Sequence, residues 1–286
     1  MIKAYSQLTK PGIILGNLIT AVAGFMLATK GASIQFGLLC ATLTGLGLVI
    51  ASACVFNNYL DRHRDQKMER TRNRPLVQGV IALPHALIYA AGLGILGLLI
   101  LALFTPALAT WVALAGFFGY VVVYGYWKYR TTHGTAIGSI AGAVPPVVGY
   151  CAVTASFDWG AALLFALLVL WQMPHFFAIA IYRLEDYVAA DIPVLPAKKG
   201  IPATKIQMLL YIIGFVAVSL MLTLMGYTGY VTLAVAALLG LTWLALCITG
   251  FKSGNDRLWA KGMFRFSLIV ITGLCLVISL TGLFSR

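Results

Sequence analysis

Nine stretches of about twenty mostly apolar residues run along the chain, at 11–30, 35–60, 84–104, 106–126, 134–154, 158–182, 203–225, 228–250 and 263–283. At 1.5 Å per residue, a helix of that length matches the roughly 30 Å hydrocarbon core of a bilayer. Inside that core a backbone has no water to bond, so only helices and closed barrels can span it. Alternation of period two is absent, which argues against a barrel. Composition points the same way. Of 286 residues, 61% are hydrophobic and only 10% charged, too few charges for the surface of a soluble domain. The sequence therefore predicts an all-α polytopic membrane protein, one membrane-embedded domain over 1–286. The first stretch has the short basic start of a signal peptide, but it ends at Lys30-Gly31 without a small-residue cleavage site and is read as a span.

Eighteen of the twenty lysines and arginines fall in the N-terminal segment and the even-numbered connections; only Lys30 and Arg286 fall on the other side. The positive-inside rule then puts the N-terminus in the cytoplasm and, with nine spans, the C-terminus on the outer side of a cytoplasmic membrane. The net charge of +12 reflects this asymmetry and calls for no nucleic acid. All the acidic residues except Asp158 share the inner side, so the charged chemistry is expected there. The five cysteines are scattered through the spans without a CxxC pair and read as small packing residues.

The stretch "CVFNNYLDRHRDQKMERTRNRPL" (54–76) ends the second span. Asn57, Asp61, Asp65 and Glu69 recur every four residues, which on a helix makes one polar stripe. A second cluster, Glu185, Asp186 and Asp191, follows the sixth span. The two long inner connections, 61–83 and 183–202, thus lie four spans apart. This suggests a weak four-helix repeat, about 11–126 and 134–250, with a ninth helix at 263–283. Carboxylates at helix C-termini oppose the dipole and need a cation. The local arginines could supply it, and so could a bound metal. Aspartate and asparagine oxygens beside lysines and arginines are the donor set of a Mg²⁺-diphosphate site; a solvated loop with ordinary salt bridges is the plainer reading.

"NNYLDRHRD" (57–65) resembles the first aspartate-rich motif of the intramembrane UbiA-type prenyltransferases, and "MERTRNRPL" (68–76) its continuation in the haem branch. "TKPGI" (9–13), "YGYWKYRTTHGTAIGSIAGAVPPVVGY" (124–150), "WQMPHFFAIAIYRLEDYVAADIPVLP" (171–196) and "DRLWAKGMFRFS" (256–267) are similar to further blocks of that branch, the protohaem IX farnesyltransferases or haem O synthases. The likeness runs in order along nearly the whole chain. Two departures stand out: Asn58 occupies the first aspartate position of the superfamily motif, and Asp186 and Asp191 are five apart where the superfamily has four.

The resemblance implies a nine-helix bundle with a central cavity, transferring farnesyl from farnesyl diphosphate to a vinyl group of haem b with addition of water. It implies catalytic Asp61, Asp65 and Asp186, holding Mg²⁺ with Asn57 and Asn58. Lys10, Arg70, Arg74, Lys128 and Arg130 are candidates to bind the diphosphate, and Phe117, Tyr120 and Tyr124 to face a carbocation. His175 and Gln172, inside the sixth span, are haem candidates; His63 and His133 lie at the inner rim. Expected partners are farnesyl diphosphate, haem b and membrane lipid, with hand-over to a haem-copper oxidase or haem A synthase. Pro145-Pro146 must break the fifth span and could line a cavity or serve close packing. Two other readings are a prenyltransferase with a different aromatic acceptor, and a secondary transporter, whose ionisable groups should sit nearer the bilayer midplane.

Overall fold

The computed structural model describes residues 1–284; Arg286, counted above as an outward charge, lies outside the described residues. Among the described residues the regular structure is entirely helical, and nine segments are long and apolar enough to cross a membrane. A short α1 (Ile2–Thr9) precedes α2 (Pro11–Thr29), α3 (Phe36–Asp65) and α4 (Leu83–Phe104). The fourth span is α5 (Ala107–Phe118), a π-helical stretch over Gly119–Tyr124 and α6 (Gly125–Trp127). The fifth is broken into α7 (Gly134–Gly142) and α8 (Val144–Thr154). Then come α9 (Trp159–Tyr182), the short α10 (Leu184–Ala189), α11 (Leu195–Leu224), α12 (Tyr230–Thr249) and α13 (Asp256–Phe284).

α2 packs among α8, α13 and α3, while α9 packs on α11 and α13. Lipid tails are as apolar as side chains, so such contacts depend on close fit. A Cβ on Gly149 would stand 2.0 Å from the Ala21 carbonyl oxygen, and one on Gly24 would stand 2.0 Å from that of Pro146. Glycine therefore lets the α2 and α8 backbones touch.

The break in the fifth span falls where the prolines require it. Pro145 and Pro146 lie in the first turn of α8 and bring no N–H to bond α7. Gln172 on α9 donates its Nε2 to the Ser139 carbonyl at 3.2 Å and to Leu168 O at 3.0 Å, so its amide ties α9 to α7 just before the break. Gly142 makes room for it, since a Cβ there would lie 2.0 Å from Gln172 Oε1. The break and the π-helical stretch border one apolar groove of about 310 Å³, lined by Gly116, Gly119, Ile140, Val144 and Phe165 among others.

Three boundaries differ from the sequence reading by more than two residues, each at the charged end of a span. α3 continues past residue 60 to Asp65, so Asn57, Asp61 and Asp65 do share a helix. Glu69 does not join their stripe: the chain turns after Asp65, whose carbonyl accepts Thr71 Oγ1 at 3.0 Å, and Glu69 is exposed. α11 starts at Leu195 and bends at Gly200 (φ 83°). α13 starts at Asp256, where Asn255 Oδ1 accepts the Leu258 N–H at 3.0 Å. These end turns are polar, and hydropathy alone trims them from a span.

Candidate active site

The last turns of α3 present three side chains on one face, and each meets a basic residue from a different segment. Lys10 Nζ donates to Asn57 Oδ1 at 3.2 Å. Lys128 forms an ion pair with Asp61, whose carboxylate also accepts the Tyr129 hydroxyl. Arg74 Nη1 donates to Asp65 Oδ2 at 2.6 Å, and Asp65 is only 2% exposed. Asn58, one residue off this face, donates Nδ2 to the Leu8 carbonyl at 2.8 Å, while its Oδ1 is buried with no partner among the described residues.

Lys10 is the corner between α1 and α2, held in the left-handed region at φ 52°. Such a conformation costs a non-glycine residue about 1–2 kcal/mol. Pro11 locks the following turn, so the corner is rigid and its side chain runs back to α3. Burial lowers the Lys10 ammonium to about 8, helped by the Arg74 charge and opposed by Asp61 and Asp65. Burial also lowers Lys128, against the pull of Asp61. It pushes the Tyr129 phenol up, as does the Asp61 charge, so the hydroxyl stays a donor.

Lys128 and Tyr129 follow the π-helical stretch. A π-bulge inserts a residue, and at 3.6 residues per turn this rotates all that follows by about 100°. The stretch ends in stacked Tyr120 and Tyr124, ring centroids 5.4 Å apart, with Lys128 Nζ 5.2 Å from the Tyr124 ring. Phe117 packs edge-on against Phe56 instead.

The second acidic cluster is built differently from the sequence expectation. Arg183 breaks the helix, so Glu185 and Asp186 open α10 rather than close α9. The dipole at a helix start favours carboxylates, which reverses the expected sign. Asp186 stands 3.9 Å from Arg183. Asp191, at φ 55°, is exposed and pairs with Lys67 at 2.9 Å, tying the two long inner connections together. Arg70 is exposed, beside Tyr187, whose phenol burial pushes up. Arg130 turns from Asp61 to donate to Tyr126 O at 2.8 Å and stack on that ring. His63 and His133 are exposed at the rim.

His175 lies between α9 and α13. Its Nδ1 is 2.7 Å from Ser267 Oγ, and that hydroxyl donates to Phe264 O at 2.6 Å. Ser267 has one proton to give, so Nδ1 carries the hydrogen of the pair and Nε2 keeps its lone pair. Trp171 stacks on the ring at 4.7 Å.

Among the described residues, no three Asp, Glu, His or Cys side chains stand close enough to hold a metal by themselves, and Asp186 is not gathered with Asp61 and Asp65 into such a group. The donor set nonetheless fits Mg²⁺, which takes one or two protein carboxylates and completes its shell with water and phosphate oxygens. Asp61 and Asp65 are two carboxylates one turn apart, and the unpartnered Oδ1 of Asn58 is a further hard oxygen beside them. Tyr129 and Arg64, which stacks on its ring at 3.6 Å, had no role in the sequence reading. Within "YWKYR", which gave Lys128 and Arg130 as candidates, Tyr129 carries no signal until the rotation after the π-helical stretch is known.

Residues 17–269 match the model of the UbiA prenyltransferase family. A protoheme IX farnesyltransferase of Protochlamydia amoebophila (strain UWE25) is 56% identical over 278 residues, covering 97% of this chain and 98% of that one. One from Serratia proteamaculans (strain 568) is 54% identical, covering 98% and 95%. Among solved structures, digeranylgeranylglyceryl phosphate synthase superposes with a TM-score of 0.80 at 20% identity, covering 99% of this chain and 98% of that one. A UbiA homolog from Archaeoglobus fulgidus bound to GPP and Mg²⁺ superposes at 0.70 and 18% identity, covering 96% and 99%. With the family model matched over most of its length, the chain belongs to the UbiA prenyltransferase family.

Proposed function

We propose that the chain transfers the farnesyl group of farnesyl diphosphate to a vinyl group of haem b, with addition of water, to give haem O. What carries this reading is the identity above one half, over nearly the whole length, to proteins named for that reaction. The face of α3 supports the chemistry: acids and bases stand in pairs that a metal-diphosphate could take apart and use separately.

Asp61 and Asp65, with Asn57 and Asn58, would hold Mg²⁺, which when bound would neutralise charge on the departing diphosphate; Asp186 is not gathered with them and is left out of this set. Lys10, Arg74 and Lys128, released from Asn57, Asp65 and Asp61, would bind the diphosphate oxygens, with Arg70 and Arg130 at the rim. Cations aimed at developing negative charge favour breaking of the allylic C–O bond. Tyr120 and Tyr124 offer ring faces to the farnesyl cation. The cation takes the electron pair of the vinyl group to form a C–C bond. Water then adds to the vinyl-derived cation and loses a proton, leaving a hydroxyl. Both Gln172 amide hydrogens bond backbone carbonyls, so His175 Nε2 is the stronger haem candidate of the two. The site would face the cytoplasm, with the N-terminus on that side. Hand-over of product to an oxidase or a haem A synthase fits the chemistry.

Purified protein incubated with Mg²⁺, farnesyl diphosphate and haem b should yield a haem heavier by one farnesyl and one hydroxyl group, read by mass spectrometry. Haem bound without mass gain would overturn the reading, and gain on another aromatic acceptor would replace the acceptor alone.

A further inference from the structure

We propose that Tyr129 is a positioning residue for Asp61, keeping the carboxylate oriented toward the metal once Lys128 has turned to the diphosphate. This rests on the site reading above. Asp61 has two partners, from consecutive residues, and they are not equivalent. Lys128 ends in a flexible ammonium, and a phosphate oxygen competes for it directly. Tyr129 offers a neutral hydroxyl on a rigid ring, and a diphosphate draws it far less than it draws a cation.

The ring itself is clamped. The Arg64 guanidinium lies 3.6 Å from its centroid, and Lys128 Nζ lies 4.9 Å away. Arg64 sits three residues beyond Asp61 on α3, so both fall on one face of the same helix. The helix that bears the carboxylate also bears the group that fixes the carboxylate's donor. When Lys128 departs, Asp61 would otherwise be free to rotate. The phenol keeps one oxygen engaged and leaves the other for the ion. Carboxylates that bind metals are commonly held by such second contacts, and losing one costs about 10–100-fold in metal affinity or activity.

The test uses the full chain in detergent, titrating Mn²⁺ as a spin probe in the presence of inorganic diphosphate, for wild type, Tyr129→Phe and Asp61→Asn. Tyr129→Phe keeps the ring under Arg64 and removes only the hydroxyl. We expect it to need about 10–100-fold more Mn²⁺ for half-saturation, with the KM for haem b unmoved. A merely structural tyrosine would lower the midpoint and leave the Mn²⁺ titration in place. An Mn²⁺ curve that overlays wild type overturns the proposal. If Asp61→Asn weakens binding and Tyr129→Phe does not, the positioning role fails and the site stands. If neither weakens it, Asp61 is not a ligand and the site assignment itself fails. Should Tyr129→Phe not fold, Arg64→Gln spares the hydroxyl and unseats the ring; it should weaken the same titration, and a wild-type curve for it would overturn the proposal.

Discussion

Replacing Asp65 by Asn removes one charge and almost no volume, which lets two roles of this residue be separated. Asp65 is 2% exposed and its partner Arg74 is 24% exposed, with 2.6 Å between them. Breaking a buried ion pair from one side costs about 3–5 kcal/mol, because the remaining charge is stranded. Arg74 keeps some access to water, so the cost here should fall to about 2 kcal/mol, a lowering of the thermal midpoint by roughly 4–8 °C. Turnover should fall further, by about 10²–10³, if the carboxylate serves the departing diphosphate through its metal. A double-mutant cycle with Arg74→Met tells the two losses apart. The second substitution removes the stranded charge, so the double variant should regain most of the lost stability. It should regain no turnover, since a carboxylate and a cation of the proposed diphosphate site are then both missing. Haem O formation by mass spectrometry and unfolding followed by tryptophan fluorescence give the two readouts. Turnover close to wild type in Asp65→Asn, or recovery of turnover in the double variant, would refute the reasoning.

Three further outcomes are expected. Lys10→Met should raise the KM for farnesyl diphosphate by about tenfold and leave the KM for haem b alone; an equal rise in both would take Lys10 out of the diphosphate site. Gly149→Leu should abolish a monodisperse folded peak in size-exclusion chromatography, because even its Cβ would stand 2.0 Å from the Ala21 carbonyl oxygen and overpacking on that scale exceeds the usual cost of about 1–3 kcal/mol. His175→Leu should weaken the change in the haem absorption band when haem b is added to the protein; an unchanged titration would show that Nε2 does not reach the haem.

Much of the fold was legible because the bilayer admits so few solutions. Among the described residues each of the nine apolar stretches is a helical span, and Pro145-Pro146 broke the fifth where the missing N–H groups demanded it. What the sequence could not give is where polar turns continue a helix. Asp256–Gly262 and Asp61–Asp65 are helical because of caps and ion pairs, Asn255 on Leu258 and Arg74 on Asp65, formed by residues outside the apolar windows. The acidic stripe of α3 was readable from its spacing of four. Its partners were not, because Lys10, Arg74 and Lys128 arrive from three separate segments. Arg130, two residues from Lys128 and equally basic, turns to its own helix end. Charge composition cannot distinguish the two; the register after the π-helical stretch does.

The same pairs give a physical account of Asn58, where the superfamily motif has aspartate. Its Nδ2 donates to the carbonyl of Leu8, two residues before the strained Lys10 corner, while neighbouring Asn57 accepts the Lys10 ammonium. Consecutive amides on α3 thus hold the corner from both sides, one by its backbone and one by its side chain. An ionised aspartate at 58 would set acceptor against acceptor at Leu8, in a buried position. Lys10, Lys128 and Arg74 already exceed the two carboxylates they face by one charge. The ligand-free site is therefore not short of positive charge, and what disfavours aspartate at 58 is the lost donor to the Leu8 carbonyl rather than want of a cation. With asparagine the corner is fixed before any ligand arrives, and the Lys10 ammonium is in place from the start.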